Sequence, residues 1–422
     1  MRRHASRSAG PILLALVVTA LLPGSASAAV TWGPQRDVAD WSWQAGGSLA
    51  ATGSTIHALY TTDRVGGAFA TDRGPYMGLF LVSSSDRGAT WSEPTRVSQP
   101  QRHADRGALA ASGDRLYAAW VTQGSYERFD PTAPRVLFFR ANANAGGPNA
   151  WGPMIRLSKQ KGRVDAPAVA AAGGRVFVAW TDAVSGDVRL AFSDDEGKTW
   201  TRKVVGKAKG SDPGGEGRVG FPDVEAGAGA VGVTWLATPD GAVKARISPN
   251  RGATWRPAVS LAASGGRLYG GAPSAAGAGG RLAFAWTAGP GLRARVWAQG
   301  AWSPIRQVAS FTGGTYPGGY DAQVAITAAG RVGVAWSGCR TAGCDLDSTQ
   351  ARVDLLWSGS TDGGTTWRAP EIVRGSQQPD QRLNDGASAL WLDADVRVIL
   401  FDGWVPGYTT YRLFVRVGNG PP

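Results

Sequence analysis

Histidine is nearly absent from this chain. The 422 residues hold three, and His4 falls in an N-terminal leader. Only His57 and His103 remain, which excludes a His-rich zinc site and leaves two candidate bases for any Ser-His-Asp relay. His57 sits in a predicted strand and is expected to be a satisfied core residue. No metal and no cofactor are expected. Cysteine is also scarce: Cys339 and Cys344 are separated by four residues. In an exported chain they are expected to form a disulfide that pins a loop. Lysine is rare, with seven against 37 arginines. Helix signals are poor, because the 60 glycines and 25 prolines are spread evenly and strands alternate over short stretches between turn residues. No linker or composition shift marks a second domain.

The first residues read as a secretory signal. Arg2, Arg3 and Arg7 supply the positive end, Pro11 to Leu22 is apolar, and Ala26-Ser27-Ala28 suits a signal peptidase. That run is too short to span a bilayer, and nothing later resembles a transmembrane segment. The expected division is a signal peptide over 1–29 and one domain over 30–422, secreted and acting as a monomer. The formal charge is +12, and losing a leader with three arginines and no acid leaves about +9. A basic, arginine-rich exported protein suits glycans or anionic wall polymers. The basic residues form no tract, which argues against nucleic acid.

Two signatures recur along the chain. One is an apolar strand ending in an aromatic: Ile56 to Tyr60, Leu116 to Trp120, Val176 to Trp180, Val231 to Trp235, Leu282 to Trp286, Val332 to Trp336 and Val398 to Phe401. The other is a tryptophan that precedes a further strand: Trp32, Trp91, Trp151, Trp200, Trp255, Trp302 and Trp367, spaced 47 to 65 residues apart. The series are out of phase at the ends, since Trp32 comes first and a strand over Tyr411 to Val417 comes last. A closed ring accounts for this if Val30 to Ala39 supplies the outermost strand of the last unit. The expected fold is an all-β, seven-bladed β-propeller of four-stranded blades, closed by the N-terminal strand; a six-bladed ring is the alternative.

Four turns share the pattern S-x-D-x-G-x-T-W, at Ser84 to Trp91, Ser193 to Trp200, Ser248 to Trp255 and Ser360 to Trp367. Asp86, Asp195, Asn250 and Asp362 can each accept backbone N–H groups and hold a tight turn. Gly88, Gly197, Gly252 and Gly364 can take a positive φ. Each tryptophan then buries its ring between sheets. These turns resemble the Asp-box, or BNR, repeats of the sialidase superfamily, over essentially the whole mature chain. The resemblance implies a propeller whose boxes are structural and lie away from the catalytic face. It carries no active-site assignment here: the family's F/Y-R-I-P motif is absent, its rings usually have six blades, and no spacing marks its arginine triad, Tyr–Glu pair and acidic Asp.

Candidate chemistry lies at the opposite mouth, where innermost strands begin. Aligned on the aromatic strand ends, Asp105, Asp165 and Asp321 fall 15 residues before the aromatic and Asp385 falls 16 before it. Arg102, Arg163, Arg218, Arg267 and Arg382 lie just upstream, with Tyr269, Tyr320 and Glu216 nearby. Arginines that grip a carboxylate, with carboxylates and tyrosines beside them, suit an acidic sugar and its glycosidic cleavage. Asp105 or Asp165 is then the candidate acid, and Tyr269 or Tyr320 the nucleophile with Glu216 as partner. Alternatively, the aspartates cap strand starts and the arginines pair them. Long loops between second and third strands add Tyr126 and Trp404 as candidate sugar-stacking surfaces. The functional expectation is a secreted sialidase-like propeller recognising glycans, as a glycoside hydrolase of acidic sugars or as a non-catalytic scaffold of the cell envelope.

Overall fold

The computed structural model describes residues 30–42, 47–65, 68–69, 77–100, 103–123, 134–145, 147, 150–159, 164–208, 220–237, 242–262, 272–288, 291–311, 320–339, 353–375, 388–404 and 411–420. Among them there is no helix. Seven antiparallel sheets follow one another along the chain, each meandering outward from an innermost strand. Blade 1 starts at Ser48–Thr52, blade 2 at Ala104–Ser112, blade 3 at Val164–Ala172 and blade 4 at Asp223–Ala226. Blades 5, 6 and 7 start at Ser274–Ala278, Tyr320–Ile326 and Ser388–Trp391. The last blade takes its outer strand from the N-terminus, with Thr31 paired to Asn419 and Arg36 to Val415. The ring closes as the two out-of-phase series predict.

The aromatic strand ends form the core between blades. Tyr60, Trp120, Trp180, Trp235, Trp286, Trp336 and Phe401 are all at most 3% exposed. Rings of this size each contribute roughly 4 kcal/mol or more by area burial. His57 is fully buried in blade 1, bonded to the hydroxyls of Thr52 at 2.7 Å and Ser83 at 2.8 Å, and burial pushes it down to about 4.

Arginines tie blade to blade. Opposite the residue two before the aromatic, the third strands of blades 2, 4, 5 and 7 carry Arg140, Arg246, Arg295 and Arg416. Arg140 donates to Gly152 O at 2.7 Å in its own blade and to Val97 O at 2.9 Å in the blade before. Arg246 does the same with Arg256 O at 2.9 Å and Val205 O at 3.1 Å, and Arg416 with Gly33 O and Val373 O. Arg295 donates to Ser303 O at 2.6 Å. Arg397, fully buried in blade 7, lies 5.7 Å over Trp357 and 4.9 Å over Trp391. Part of the arginine excess therefore serves the interior, where a planar, multiply donating cation can satisfy several carbonyls at once.

The four repeated turns have one design. Ser84, Ser193, Ser248 and Ser360 accept the amide of the glycine four residues on, at 2.7 to 2.9 Å. Asp86 and Asp195 accept both the amide and the hydroxyl of Thr90 and Thr199. These bonds hold the two carboxyls far below the ordinary carboxylate range, with the Thr90 hydroxyl leading for Asp86 and the Thr199 amide for Asp195. Asp362 is down at about 2: burial pushes it up, but bonds from Thr366 and Ser360 outweigh that. Asn250 keeps the amide bond and reverses the other, donating to the Thr254 hydroxyl at 2.9 Å. The glycines take positive φ as expected, and so do Arg87, Glu196 and Arg251 just before three of them. Gly197 is also held by contact, since a Cβ there would come within 2.4 Å of the Phe139 ring, which packs edge-on against Trp200.

Candidate functional site

Third strands run parallel to innermost strands, so the repeated turns and the starts of the innermost strands occupy opposite ends of the ring. At the second of these ends lies an axial cavity of about 350 Å³ that residues of all seven blades line. The volume is within the usual range of small-molecule sites, about 300–1,000 Å³.

A belt of side-chain oxygens holds this throat together. Opposite the residue just before each aromatic, the innermost strands carry Ser48, Ala108, Ala168, Asp223, Ser274, Gln323 and Ser388. Ser388 accepts the Leu49 amide of blade 1 at 3.1 Å, and Ser48 accepts the Leu109 amide of blade 2 at 3.0 Å. Ser274 accepts the Val324 amide of blade 6 at 3.1 Å. Asp223 makes the same link from blade 4 to blade 5, taking the Ala275 amide at 2.7 Å, and its other oxygen takes its own Val224 amide at 2.9 Å. Each such bond contributes about 1 kcal/mol, and the carboxylate version is the stronger kind.

Asp223 and Glu225 are two residues apart on one strand, so they share a face, and both line the cavity. Each keeps some contact with solvent, yet protein surrounds the carboxyls closely. Burial pushes Asp223 up to about 7 against the pull of its two amides. Burial, joined by the charge of Asp223, pushes Glu225 well above the ordinary range. Arg106 lines the cavity from blade 2 with a φ of 53°. It sits in a bulge of the innermost strand, where pairing slips between Ala119 and Val121.

The sequence-predicted residues fall as follows. Asp105 is at the mouth of blade 2, where its carboxylate accepts the Arg106 amide at 2.7 Å and lies 3.6 Å from the Arg106 guanidinium. Asp165 occupies the matching bulge in blade 3, paired with Thr181, and Tyr320 and Asp321 open the innermost strand of blade 6. Trp404 ends the second strand of blade 7, paired with Tyr411. The side chains of Asp165, Tyr320, Asp321 and Trp404 lie outside the described residues. So do Tyr269, Glu216, Arg102, Arg163, Arg218, Arg267, Arg382, Asp385 and Tyr126 altogether. Cys339 ends a strand of blade 6, but its side chain and all of Cys344 are outside as well. The structure adds Arg106, Asp223 and Glu225, which sequence reasoning passed over.

A second concavity of about 660 Å³ opens between blades 2 and 3. Its carboxylate is already engaged: Arg189 pairs with Asp182 at 3.4 Å, and also with the neighbouring Asp187 at 2.9 Å, which Lys207 meets at 2.6 Å. The axial cavity is the better candidate because its carboxyls lack such cationic partners at salt-bridge distance among the described residues.

No family model matches the chain, and no curated protein matches it. Solved structures do. A mutant of Trypanosoma rangeli sialidase displaying trans-sialidase activity aligns with a TM-score of 0.50 at 13% identity, over 92% of this chain and 60% of that one. The fold is a sialidase-like β-propeller. A protein of unknown function from Dyadobacter fermentans aligns over 92% of this chain and 99% of its own, at 15% identity and a TM-score of 0.49. A Hadza microbial sialidase aligns over 88% and 64%, at 13% identity and a TM-score of 0.47. This sialidase-like propeller spans little more than half the length of the Trypanosoma rangeli sialidase in complex with the inhibitor DANA, covering 55% of it. At such identities the likeness concerns the fold.

Proposed function

We propose that this chain is a secreted, sialidase-like propeller that recognises glycans at its axial mouth. The observation that carries the reading is the axial cavity, lined by all seven blades and furnished with Arg106, Asp223, Glu225 and Gln323. A concave site with a few convergent polar groups is the usual form of a small-ligand site. Export is inferred from the leader over 1–29, and the domain from 30 to 422. The arginines just upstream of the strand starts, Arg102, Arg163, Arg218, Arg267 and Arg382, would add carboxylate grip at the rim and favour acidic sugars.

In the hydrolase form of this reading, Asp105 or Asp165 is the acid and Tyr269 or Tyr320 the nucleophile, assisted by Glu216. A fluorogenic sialoside assay tests it. Tyr320→Phe and Asp105→Ala each abolish turnover while melting near wild type; two fully active variants refute the assignment. The second reading, a non-catalytic envelope scaffold, is favoured by the bonds of Asp105, which both cap a strand start and pair Arg106. It leaves sialoside uncut yet retains the protein on glycan or wall polymer, with retention weakening as salt rises.

A further inference from the structure

Glu225 breaks the repeat at one register position. Opposite the residue three before each aromatic, the other innermost strands carry Ala50, Ala110, Ala170, Ala276, Ala325 and Leu390. Blade 4 carries Glu225. Six blades close this layer with an alkyl group, so the fold itself does not require a carboxyl there. Space has been made for it. The facing strand of blade 5, Ser274–Ala278, is built only of Ser, Ala and Gly. At Gly277 a Cβ would come 2.7 Å from the carbonyl carbon of Ala226, so the two innermost strands meet at backbone contact just beside Glu225.

Asp223 prepares the ground. Both its oxygens are taken by amides of the belt, which fix the carboxylate and favour its charge. The other elements packed on this strand bring little charge. The blade 5 strand has no titratable group, nor does the second strand of blade 4, Val231–Leu236. The blade 3 strand brings only Asp165 at its start, the strand behind it carries Arg175 and Asp182 at its two ends, and Arg106 lines the cavity from blade 2. Two anions side by side in a throat are costly, and Glu225, held by one amide, that of Ala226, against the two of Asp223, keeps its proton.

We propose that Glu225 is a ligand-contacting residue whose neutral carboxyl hydrogen-bonds the hydroxyl groups of an uncharged sugar ring or similar polyol portion of the ligand. When ionised, Asp223 repels an acidic substituent from this side of the throat, so any carboxylate of the ligand then points toward Arg106 or the rim. This deepens the glycan reading and rests on it.

The test is calorimetric titration of the mature chain with lactose and with 3′-sialyllactose, using wild type, Glu225→Gln and Glu225→Ala, each checked by its thermal melt. Both sugars bind wild type. Glu225→Gln, which copies a neutral carboxyl, stays within about threefold, and Glu225→Ala weakens both sugars by about tenfold or more. Unchanged binding by a folded Glu225→Ala removes the contact and leaves the glycan reading standing. A Glu225→Gln as weak as Glu225→Ala overturns the neutral-carboxyl role, because an anion was then needed. Failure of wild type to bind either sugar overturns both readings.

Discussion

The repeated turns and the axial throat obey opposite rules. At the turns, four blades use one set of bonds with near-identical lengths, from a serine hydroxyl, an Asp or Asn and a threonine. In the throat, equivalent register positions carry Ser, Ala, Asp or Gln in one layer and Ala, Leu or Glu in the next. Sameness marks what every blade needs in order to fold. Departure from sameness, at a position where the other blades manage with an alkyl group, is where the proposed ligand contact lies.

That contrast can be broken by measurement. The largest effect belongs to the structural side. Arg397→Ala should cost about 3–5 kcal/mol in denaturant unfolding, because it removes a fully buried side chain packed over Trp357 and Trp391 and leaves a void between them. A cost below about 1 kcal/mol would show that the arginines of the interior are dispensable. Next come the turns. Asp195→Ala should lower the thermal melt by a smaller, measurable amount and Asp195→Asn by less, since Asn250 serves the third turn with the amide bond intact. Equal losses for the two variants would mean that charge, and not geometry, holds the turn.

The smallest effect is of opposite sign. Glu225→Ala restores the residue that five other blades use and should stabilise the fold by about 1 kcal/mol at pH 8. Asp223 is up at about 7 in the folded chain, against about 4 for an unfolded carboxyl. Below pH 4 both states hold their protons and the carboxyl pair costs nothing through ionisation. Between 4 and 7 the folded state binds more protons, so the pair lowers stability as pH rises; the share of Asp223 is complete above 7, and Glu225, pushed well above the ordinary range, adds to it. The gain from Glu225→Ala should therefore be absent at pH 4 and larger at pH 8 in paired melts. A gain independent of pH would trace it to packing instead.

The sequence exposed whatever recurs. Seven buried aromatics and seven outer tryptophans counted the blades, and the phase shift between them placed the N-terminal strand in the last one. The four turns were legible as Asp- or Asn-held turns with a positive-φ glycine because their chemistry is local, while the serine and threonine bonds emerged only in the structure. The throat was not. Asp105, Asp165, Asp321 and Asp385 stood out because they recur 15 or 16 residues before an aromatic. Asp223 and Glu225, at 12 and 10 before Trp235, occur once, and a single departure looks like noise until strand pairing fixes its register. The arginines hid a second lesson: composition read them as a surface charge, and several are bonded to carbonyls of the interior.

Ring closure also has a kinetic side. Thr31 pairs with Asn419, so the first strand to be made has no partner until nearly the whole chain exists. A contact of such sequence separation comes late and is slow to form. Once blade 7 is made, its open edge and the orphan N-terminal strand coexist until they pair, each a template for pairing with another copy. Arg416 reaches across that seam to Gly33 O and Val373 O, so the final step fastens three segments at once. A chain trimmed at its N-terminus would thus forfeit not one strand but the lock on its own circle.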